Sequence, residues 1–163
     1  MHPHLSPEDQ FVHYVKGDAT NPQGSDLKLI IHINNNLGAW GAGFVLAISK
    51  KWKKPEQSYK IWKEKFPHLF HLGEIQFVPV EQDAIVVNMI AQNGLRSRNN
   101  PNPLDYEALS SCLSKISKFE GDFSVHAPRI GSGLGGGDWK VIESLLIKYL
   151  ICRDISVTIY DLP

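Results

Sequence analysis

Two glycine-rich segments are the residues of this sequence best suited to chemistry. The first runs Gly38-Ala39-Trp40-Gly41-Ala42-Gly43, and the second runs Gly131-Ser132-Gly133-Leu134-Gly135-Gly136-Gly137. Each follows an apolar, strand-like run and precedes a stretch with helical spacing. Glycine lets an anion approach peptide N–H groups closely, and the following helix adds the partial positive charge of its N-terminus. Two such segments facing one cleft suit a diphosphate better than a single phosphate.

A plainer interpretation is that the glycines only make tight strand-to-helix turns, although this explains one cluster more readily than two at matching positions. Gly131, Gly133 and Gly136 also satisfy G-x-G-x-x-G, the dinucleotide fingerprint. That motif opens its fold and is followed by several further strands, whereas only one predicted strand follows here. We therefore interpret the match as accidental. No lysine follows either segment at the spacing of a P-loop.

Other catalytic and metal-binding patterns are missing from the sequence. It contains no GxSxG elbow, no HExxH pair and no paired-cysteine motif. His68 and His71 lie in a polar turn, so we predict no metal site and no other cofactor. Cys112 and Cys152 lie outside any ligand pattern, which fits a reducing compartment.

Apolar strands alternate with helical stretches along the chain, which indicates the α/β class. Strands are predicted at residues 12–15, 27–33, 74–80, 84–90, 123–130 and 156–160. Helices are predicted at residues 44–52, 55–66 and 105–119, and after a capping Asp138. This order favours a three-layer α/β/α fold with a mixed, mostly parallel central sheet and helices on both faces. Both glycine segments then lie at the carboxyl ends of strands, where such sheets bind ligands.

Bulk properties favour one soluble domain. The 163 residues predict a loose leader at residues 1–10 and a single domain at residues 11–163. Seventeen basic residues balance seventeen acidic ones, which argues against general nucleic-acid binding. The first dozen residues lack the layout of a signal peptide, and no apolar run approaches the ~20 residues that span a bilayer. We expect a cytoplasmic protein without a membrane partner.

Three motifs together resemble a macrodomain. They are Lys16-Gly17-Asp18 after the first strand, the asparagine-rich segment leading to GAWGAG, and PRIGSGLGGGDW near the end. They occur in the family's order, and the resemblance covers roughly residues 11–162. The sequence is most similar to the small single-domain branch that includes terminal ADP-ribose glycohydrolase and yeast ADP-ribose 1''-phosphate phosphatase. The resemblance implies a macrodomain-like fold and an ADP-ribose ligand, either free or linked to a protein.

The resemblance also implies residue roles. Asp18 matches an acidic residue that accepts a hydrogen bond from the adenine amino group. One of the asparagines at 34–36 is expected near the distal ribose, with Asn36 the first choice because it is nearest the glycine segment. The complete set of implied ligand-binding residues is Asp18, Ala19, Asn34, Asn36, Gly38, Trp40, Gly41, Ala42, Gly43, Gln92, Ile130, Gly131, Ser132, Gly133, Leu134, Gly135 and Gly136.

The resemblance leaves binding and cleavage open. Gln92 and Gly135 stand where the glycohydrolase has its lysine and aspartate, which argues against the lysine-dependent mechanism. His32 stands where the phosphatase has a histidine implicated in turnover, and Asp138 is a second candidate base; core packing and helix capping also explain them. The hypotheses are hydrolysis of ADP-ribose 1''-phosphate or an ADP-ribosyl linkage, noncatalytic reading of ADP-ribose, and action on modified nucleic-acid ends. Zero net charge disfavours the last.

Overall fold

A six-stranded mixed sheet forms the centre of the molecule in the computed structural model, which describes residues 4–163. Every neighbouring pair is parallel except β3 and β4, which are antiparallel. This confirms the mixed, mostly parallel sheet. In spatial order the strands are β1 (His13–Lys16), β6 (Val157–Asp161), β5 (Phe123–Ala127), β2 (Leu27–Asn35), β4 (Ala84–Gln92) and β3 (Ile75–Glu81).

Helices cover both faces of the sheet, which confirms the three-layer arrangement. They are α1 (Phe44–Lys51), α2 (Lys54–Lys65), α3 (Tyr106–Ser117) and α4 (Trp139–Tyr149). Successive residues of a strand point to opposite faces. Ile30 therefore packs in the core formed with α1 and α2, whereas Leu29 and Ile31 pack in the core formed with α3 and α4. Within residues 4–163, none of the helices is long and apolar enough to span a membrane.

Every strand ends one to three residues away from its predicted end, and the differences in β2 and β5 shape the carboxyl edge of the sheet. β2 continues to Asn35, two residues beyond the prediction, and Asn34 and Asn35 pair with β4 across a bulge. Asparagine is depleted in strands, but the ladder with β4 overrides that local preference. β5 ends at Ala127 instead of residue 130, because Pro128 has no N–H group to continue the ladder.

The amino-terminal segment differs from the loose leader that the sequence predicts. Pro7–Gln10 forms a short 3-10 helix, and the Ser6 hydroxyl donates to Asp9 at 2.8 Å. Leu5 packs against the core on the α3 and α4 side. The segment is therefore joined to the domain by the apolar contact of Leu5 and by Asp9 Oδ1, which lies 2.6 Å from Nε2 of His13 in β1. The part of the predicted leader at residues 1–3 lies outside the described residues.

Candidate functional site

A cavity of about 560 Å³ lies at the carboxyl ends of β5, β2 and β4. The first loop, residues 36–43, and the second loop, residues 131–137, both contribute to its lining. Leu134 Cδ1 lies 3.9 Å from the position that a Cβ atom on Gly43 would take, so the two loops meet across the cleft. The volume falls in the range of small-molecule sites, roughly 300–1,000 Å³.

The first loop is held in shape by Asn35. Its Oδ1 atom accepts from the amides of Leu37 and Ala39 at 2.9 and 3.2 Å, and its Nδ2 atom donates to the Ala39 carbonyl at 2.6 Å. The Trp40 indole is buried and donates to Ser49 Oγ at 2.7 Å. Asn35 and Trp40 therefore fix the path of the loop from inside before any ligand binds.

The second loop is closed by its own backbone. The Gly137 amide donates to the Gly131 carbonyl at 2.8 Å, and the Gly136 amide donates to the Gly133 carbonyl at 3.0 Å. Gly131 and Gly136 have φ values of 75° and 70°, which L side chains rarely adopt. Around Gly133, by contrast, a Cβ atom would meet nothing within 4 Å. Turn geometry and packing thus explain Gly131 and Gly136 but not Gly133.

Both loops present unpaired amide groups. Within residues 4–163, the N–H groups of residues 41–43 and 132–135 donate to no recorded backbone or side-chain acceptor. The amides of residues 41–43 lead directly into the N-terminus of α1, whose dipole adds partial positive charge. Such a pair of amide-rich loops is suited to an anion with several oxygen atoms.

Besides the main-chain amides of the two loops, the side-chain amide of Asn34 is an unpaired polar group in the cavity. Its side chain lines the cavity and is only 3% exposed, yet neither Oδ1 nor Nδ2 has a hydrogen-bond partner. Asn36, the first choice from sequence, does not line the cavity. Its amide donates to Asn93 Oδ1 at 3.1 Å and accepts from the Gly94 amide at 2.9 Å. Asn34 is therefore the asparagine available to a ligand.

The side-chain amides of Asn88, which is buried, and Gln76, which is half-buried, set the tautomer of His32. Gln76 Nε2 donates to the Ser58 carbonyl at 3.0 Å, so Gln76 Oε1 faces the next residue and accepts from Asn88 Nδ2 at 3.0 Å. Asn88 Nδ2 also donates to the Pro55 carbonyl at 3.2 Å, which leaves Asn88 Oδ1 to accept. His32 Nε2 lies 2.5 Å from that oxygen and therefore carries the proton. Nδ1 keeps a lone pair and has no partner.

The charge of His32 is set by burial. The side chain is 2% exposed, and desolvation lowers its pKa from 6.5 to about 4, partly opposed by the bond to Asn88. The imidazole is therefore neutral at pH 7 and stands edge-on to Trp40, with ring centres 5.4 Å apart. A phosphate brought next to it would raise this pKa toward neutrality, because an opposite charge favours the imidazolium form. His32 can then accept a proton.

The charge of the cavity favours anions. Within residues 4–163, no Asp or Glu lines it, whereas Arg96 and Arg129 do. Arg96 donates from Nη1 to the Gly133 carbonyl at 3.3 Å, and Arg129 pairs with Asp161 at 2.8 Å. Two guanidinium groups and two sets of amides thus face a space that no carboxylate lines, although Asp161 partly neutralises Arg129.

Asp18 lies just after β1, outside the cavity lining. Its Oδ1 atom accepts from the Thr20 amide and hydroxyl at 2.8 and 2.7 Å. Both bonds from Thr20 reach Oδ1, which leaves Oδ2 of this exposed side chain to face a ligand. The neighbouring Gly17 amide donates to the Asp161 carbonyl at 2.8 Å, which ties the segment to the end of β6. Asp18 therefore lies along the same edge of the sheet as the cavity.

The structure sorts the predicted residues into two sets. Those that line the cavity are His32, Asn34, Trp40, Gly41, Ala42, Gly43, Gln92, Ile130, Gly131, Gly133, Leu134 and Gly135. Those that do not line it are Asp18, Ala19, Asn36, Gly38, Ser132, Gly136 and Asp138. The exposed carboxylate of Asp138 accepts from the Lys140 amide at 3.0 Å and caps α4, so the capping explanation accounts for this residue, and its role as a base stays a prediction.

Sequence reasoning did not single out either arginine of the cavity. Arg129 directly precedes the second loop inside the motif PRIGSGLGGGDW, so its position beside a glycine segment was a usable signal. Arg96 lies in the connection between β4 and α3 with no comparable motif around it. Only the folding of that connection against the Gly133 carbonyl brings Arg96 to the cavity.

Comparison with known proteins gives related chains that cover this one almost completely, although no protein-family model matches it. A macrodomain protein of solved structure from Streptomyces coelicolor is 42% identical, has a TM-score of 0.81, and is covered over 99% of its chain and 93% of this one. Mouse chromodomain-helicase-DNA-binding protein 1-like is 32% identical over 93% of this chain. The ADP-ribose 1''-phosphate phosphatase of Candida glabrata is 25% identical over 93% of this chain and 98% of its own length.

The extent of these matches differs. The chain spans only 18% of the mouse protein and 15% of the corresponding zebrafish protein, so the similarity there is to one part of a longer polypeptide. The Streptomyces protein, in contrast, matches over nearly its whole length and shares the fold. The chain therefore belongs to the macrodomain family.

Proposed function

We propose that this macrodomain binds ADP-ribose and hydrolyses an ADP-ribose derivative, either ADP-ribose 1''-phosphate or an ADP-ribosyl linkage. The observation that carries the proposal is the cavity between two glycine loops, which has unpaired amide donors and no carboxylate within the described residues. A diphosphate supplies several acceptor oxygens to such a site, and a dinucleotide-like ligand of this kind needs binding groups on both sides of it.

The residues proposed to bind the adenine, the diphosphate and the ribose lie one after another along the carboxyl edge of the sheet. From β1 the strands run β6, β5, β2 and β4, and neighbouring strands lie about 4.8 Å apart, so the edge from β1 to β4 is roughly 20 Å long. Adenine would lie by Asp18 after β1, and the diphosphate would lie by the loops after β5 and β2. The distal ribose would then reach Asn34 and Gln92, whose amides can donate to and accept from its hydroxyl groups.

Hydrolysis of the phosphomonoester requires a proton acceptor near the phosphate. A water molecule attacks phosphorus, the bond from phosphorus to O1'' of the ribose breaks, and O1'' leaves with a proton as inorganic phosphate forms. Among the described residues that line the cavity, His32 alone exchanges a proton in the range below neutral pH. Its bare Nδ1 atom would accept a proton from the attacking water and return it to O1'' as that oxygen leaves, while its Nε2–H group stays on Asn88.

The alternative is a reader that binds ADP-ribose, free or on a modified protein, without turnover. Gln92 and Gly135 support it, since neither can replace the lysine and aspartate of the glycohydrolase mechanism. The similarity to the Candida glabrata phosphatase supports turnover instead. Both functions suit a single macrodomain at residues 11–163. Two free cysteines, Cys112 and Cys152, fit a reducing compartment such as the cytoplasm.

Calorimetric titration with ADP-ribose tests the binding half of the proposal. Release of inorganic phosphate from ADP-ribose 1''-phosphate, and loss of label from a mono-ADP-ribosylated protein, test the catalytic half. We expect His32→Ala to abolish turnover while ADP-ribose still binds. His71→Ala is the matched control, because His71 is an exposed histidine that does not line the cavity.

The outcomes separate the alternatives. Turnover by the wild type that His32→Ala removes and His71→Ala keeps supports the hydrolase. If neither substrate is consumed while ADP-ribose raises the melting temperature, the protein is a reader. If ADP-ribose neither binds nor raises the melting temperature, the proposed ligand is wrong.

A further inference from the structure

Arg129 has a guanidinium group whose plane, and not only its charge, is fixed. Nε and Nη2 donate to the two carboxylate oxygens of Asp161 at 2.8 and 3.0 Å. Such a two-point contact sets the orientation of the planar group. The side chain nevertheless remains 42% exposed, and Arg129 lines the cavity. A structural ion pair alone would not require the group to remain open to the cavity.

Two aromatic rings, those of Tyr14 and Trp139, contact the Arg129 guanidinium. Its central carbon lies 4.8 Å from the ring centre of Tyr14 and 5.2 Å from that of Trp139. The two rings meet edge to face at 6.4 Å, and the indole N–H of Trp139 donates to the Tyr14 hydroxyl at 2.9 Å. The Tyr14 hydroxyl also bonds Glu143. The guanidinium is thus held in place before a ligand arrives.

The position of Arg129 lies between two parts of the proposed ligand site. On one side, the main-chain carbonyl of Asp161 accepts from the amide of Gly17, the residue immediately before Asp18, at 2.8 Å. On the other side, the Ser132 hydroxyl of the second loop donates to the Arg129 carbonyl at 2.9 Å. Only β6 separates β1 from β5, so Asp18 and the second loop are about two strand spacings, roughly 10 Å, apart. An adenosine whose base is at Asp18 and whose phosphate is at the loop passes over Arg129.

We propose that Arg129 is the stacking platform for the nucleobase of the ligand. The inference rests on the proposed ADP-ribose function. Guanidinium planes stack on bases, and this contact depends on the π face and not on the ring substituents. Asp18 would then read the exocyclic amino group, while Arg129 binds the ring whatever its substituent. Two residues thus divide base recognition between them.

This division of roles makes separate predictions for two ligands, ADP-ribose and its hypoxanthine analogue IDP-ribose, each titrated calorimetrically. Arg129→Gln should weaken both by the same factor, about tenfold, the scale of one lost stacking contact. Arg129→Lys should weaken both as well, because lysine keeps the charge but lacks the plane. Asp18→Asn keeps the Oδ1 acceptor used by Thr20 and should instead abolish the preference for adenine over hypoxanthine.

Arg98→Gln is the matched control for the loss of one positive charge, since Arg98 is exposed and does not line the cavity. It should bind both ligands like the wild type. Wild-type affinity in Arg129→Gln or Arg129→Lys would overturn the stacking role. Loss of the adenine preference in the Arg129 variants would also overturn it, because the arginine would then act by holding Asp18.

Melting temperatures without ligand show which variants fold, and Arg129→Lys still tests the inference if Arg129→Gln does not fold. Failure of the wild type to bind ADP-ribose is a different result, because it rejects the proposed function itself.

Discussion

Asn34 is a residue whose burial makes sense only with a ligand. Its amide is 3% exposed and unpaired, although leaving a buried polar group without a partner costs about 1–3 kcal/mol. Asn35, the next residue, uses both ends of its amide to shape the first loop. Asn34 is therefore available to a ligand while Asn35 stabilises the loop, because successive side chains of a strand point to opposite faces.

Asn34→Ala should weaken ADP-ribose binding by about 1–2 kcal/mol without lowering the free energy of unfolding, because the lost amide has no partner within the protein. Asn36→Ala should show the reverse pattern, since it removes bonds to Asn93 and Gly94 but no group that lines the cavity. Calorimetry and urea unfolding of both variants measure the two quantities. Unchanged affinity in Asn34→Ala would remove Asn34 from the site.

Within the second glycine loop, different glycines are needed for different reasons. Gly131 has φ 75°, and a Cβ atom there would lie 2.9 Å from Leu104 Cδ2. Gly133 has no neighbour within 4 Å of such an atom and no positive φ. Chain geometry therefore accounts for Gly131, while Gly133 lines the cavity and has open space where a side chain would lie. The turn interpretation and the anion interpretation both hold, at different residues of the same loop.

Gly133→Val should keep the ligand-free melting temperature close to that of the wild type and weaken ADP-ribose at least tenfold, because the side chain would occupy the space proposed for the diphosphate. Gly131→Ala should lower the stability by about 1–3 kcal/mol through strain and overpacking. Thermal melts with and without ADP-ribose measure both effects. Full affinity in a folded Gly133→Val protein would place the diphosphate elsewhere.

The molecule as a whole is electrically balanced, but its charges are unevenly placed. Formal net charge is zero, while no carboxylate among the described residues lines the cavity and two arginines do. Two buried histidines also affect the charge balance of the molecule. His32 and His126 are each 2% exposed, and desolvation lowers the pKa of each to about 4. Both are kept neutral by the surrounding core, which makes stability depend on pH.

Stability should fall as the pH drops from 6.5 toward 4. Well above pH 6.5 both histidines are neutral in the folded and unfolded states, so their contribution is complete. Below it the unfolded chain takes up protons that the folded protein excludes, at a cost of up to about 3 kcal/mol for each histidine. Urea unfolding at pH 7.5, 6.0 and 4.5 measures this decline. His126→Gln should flatten the decline, and an equal slope in this variant would exclude His126 as a source.

The sequence by itself determined the element order, the class of fold and the two glycine segments at strand ends. Hydrophobic periodicity is a local property, and parallel strands necessarily bring their carboxyl ends to one edge. Asp18 and His32 could also be predicted from the sequence, because its motifs resemble those of macrodomains. These inferences need only neighbours along the chain or the direction of a strand.

Only the tertiary structure decided which side chains face the cavity. Asn34 and Asn36 are indistinguishable in sequence, but strand pairing and a bulge leave one amide unpaired and the other bonded to a distant loop. Likewise, Arg129 acquires its fixed plane from Asp161, 32 residues away, and from the rings of Tyr14 and Trp139. Side-chain direction and pairing between distant residues are settled when elements pack, so local spacing does not contain them.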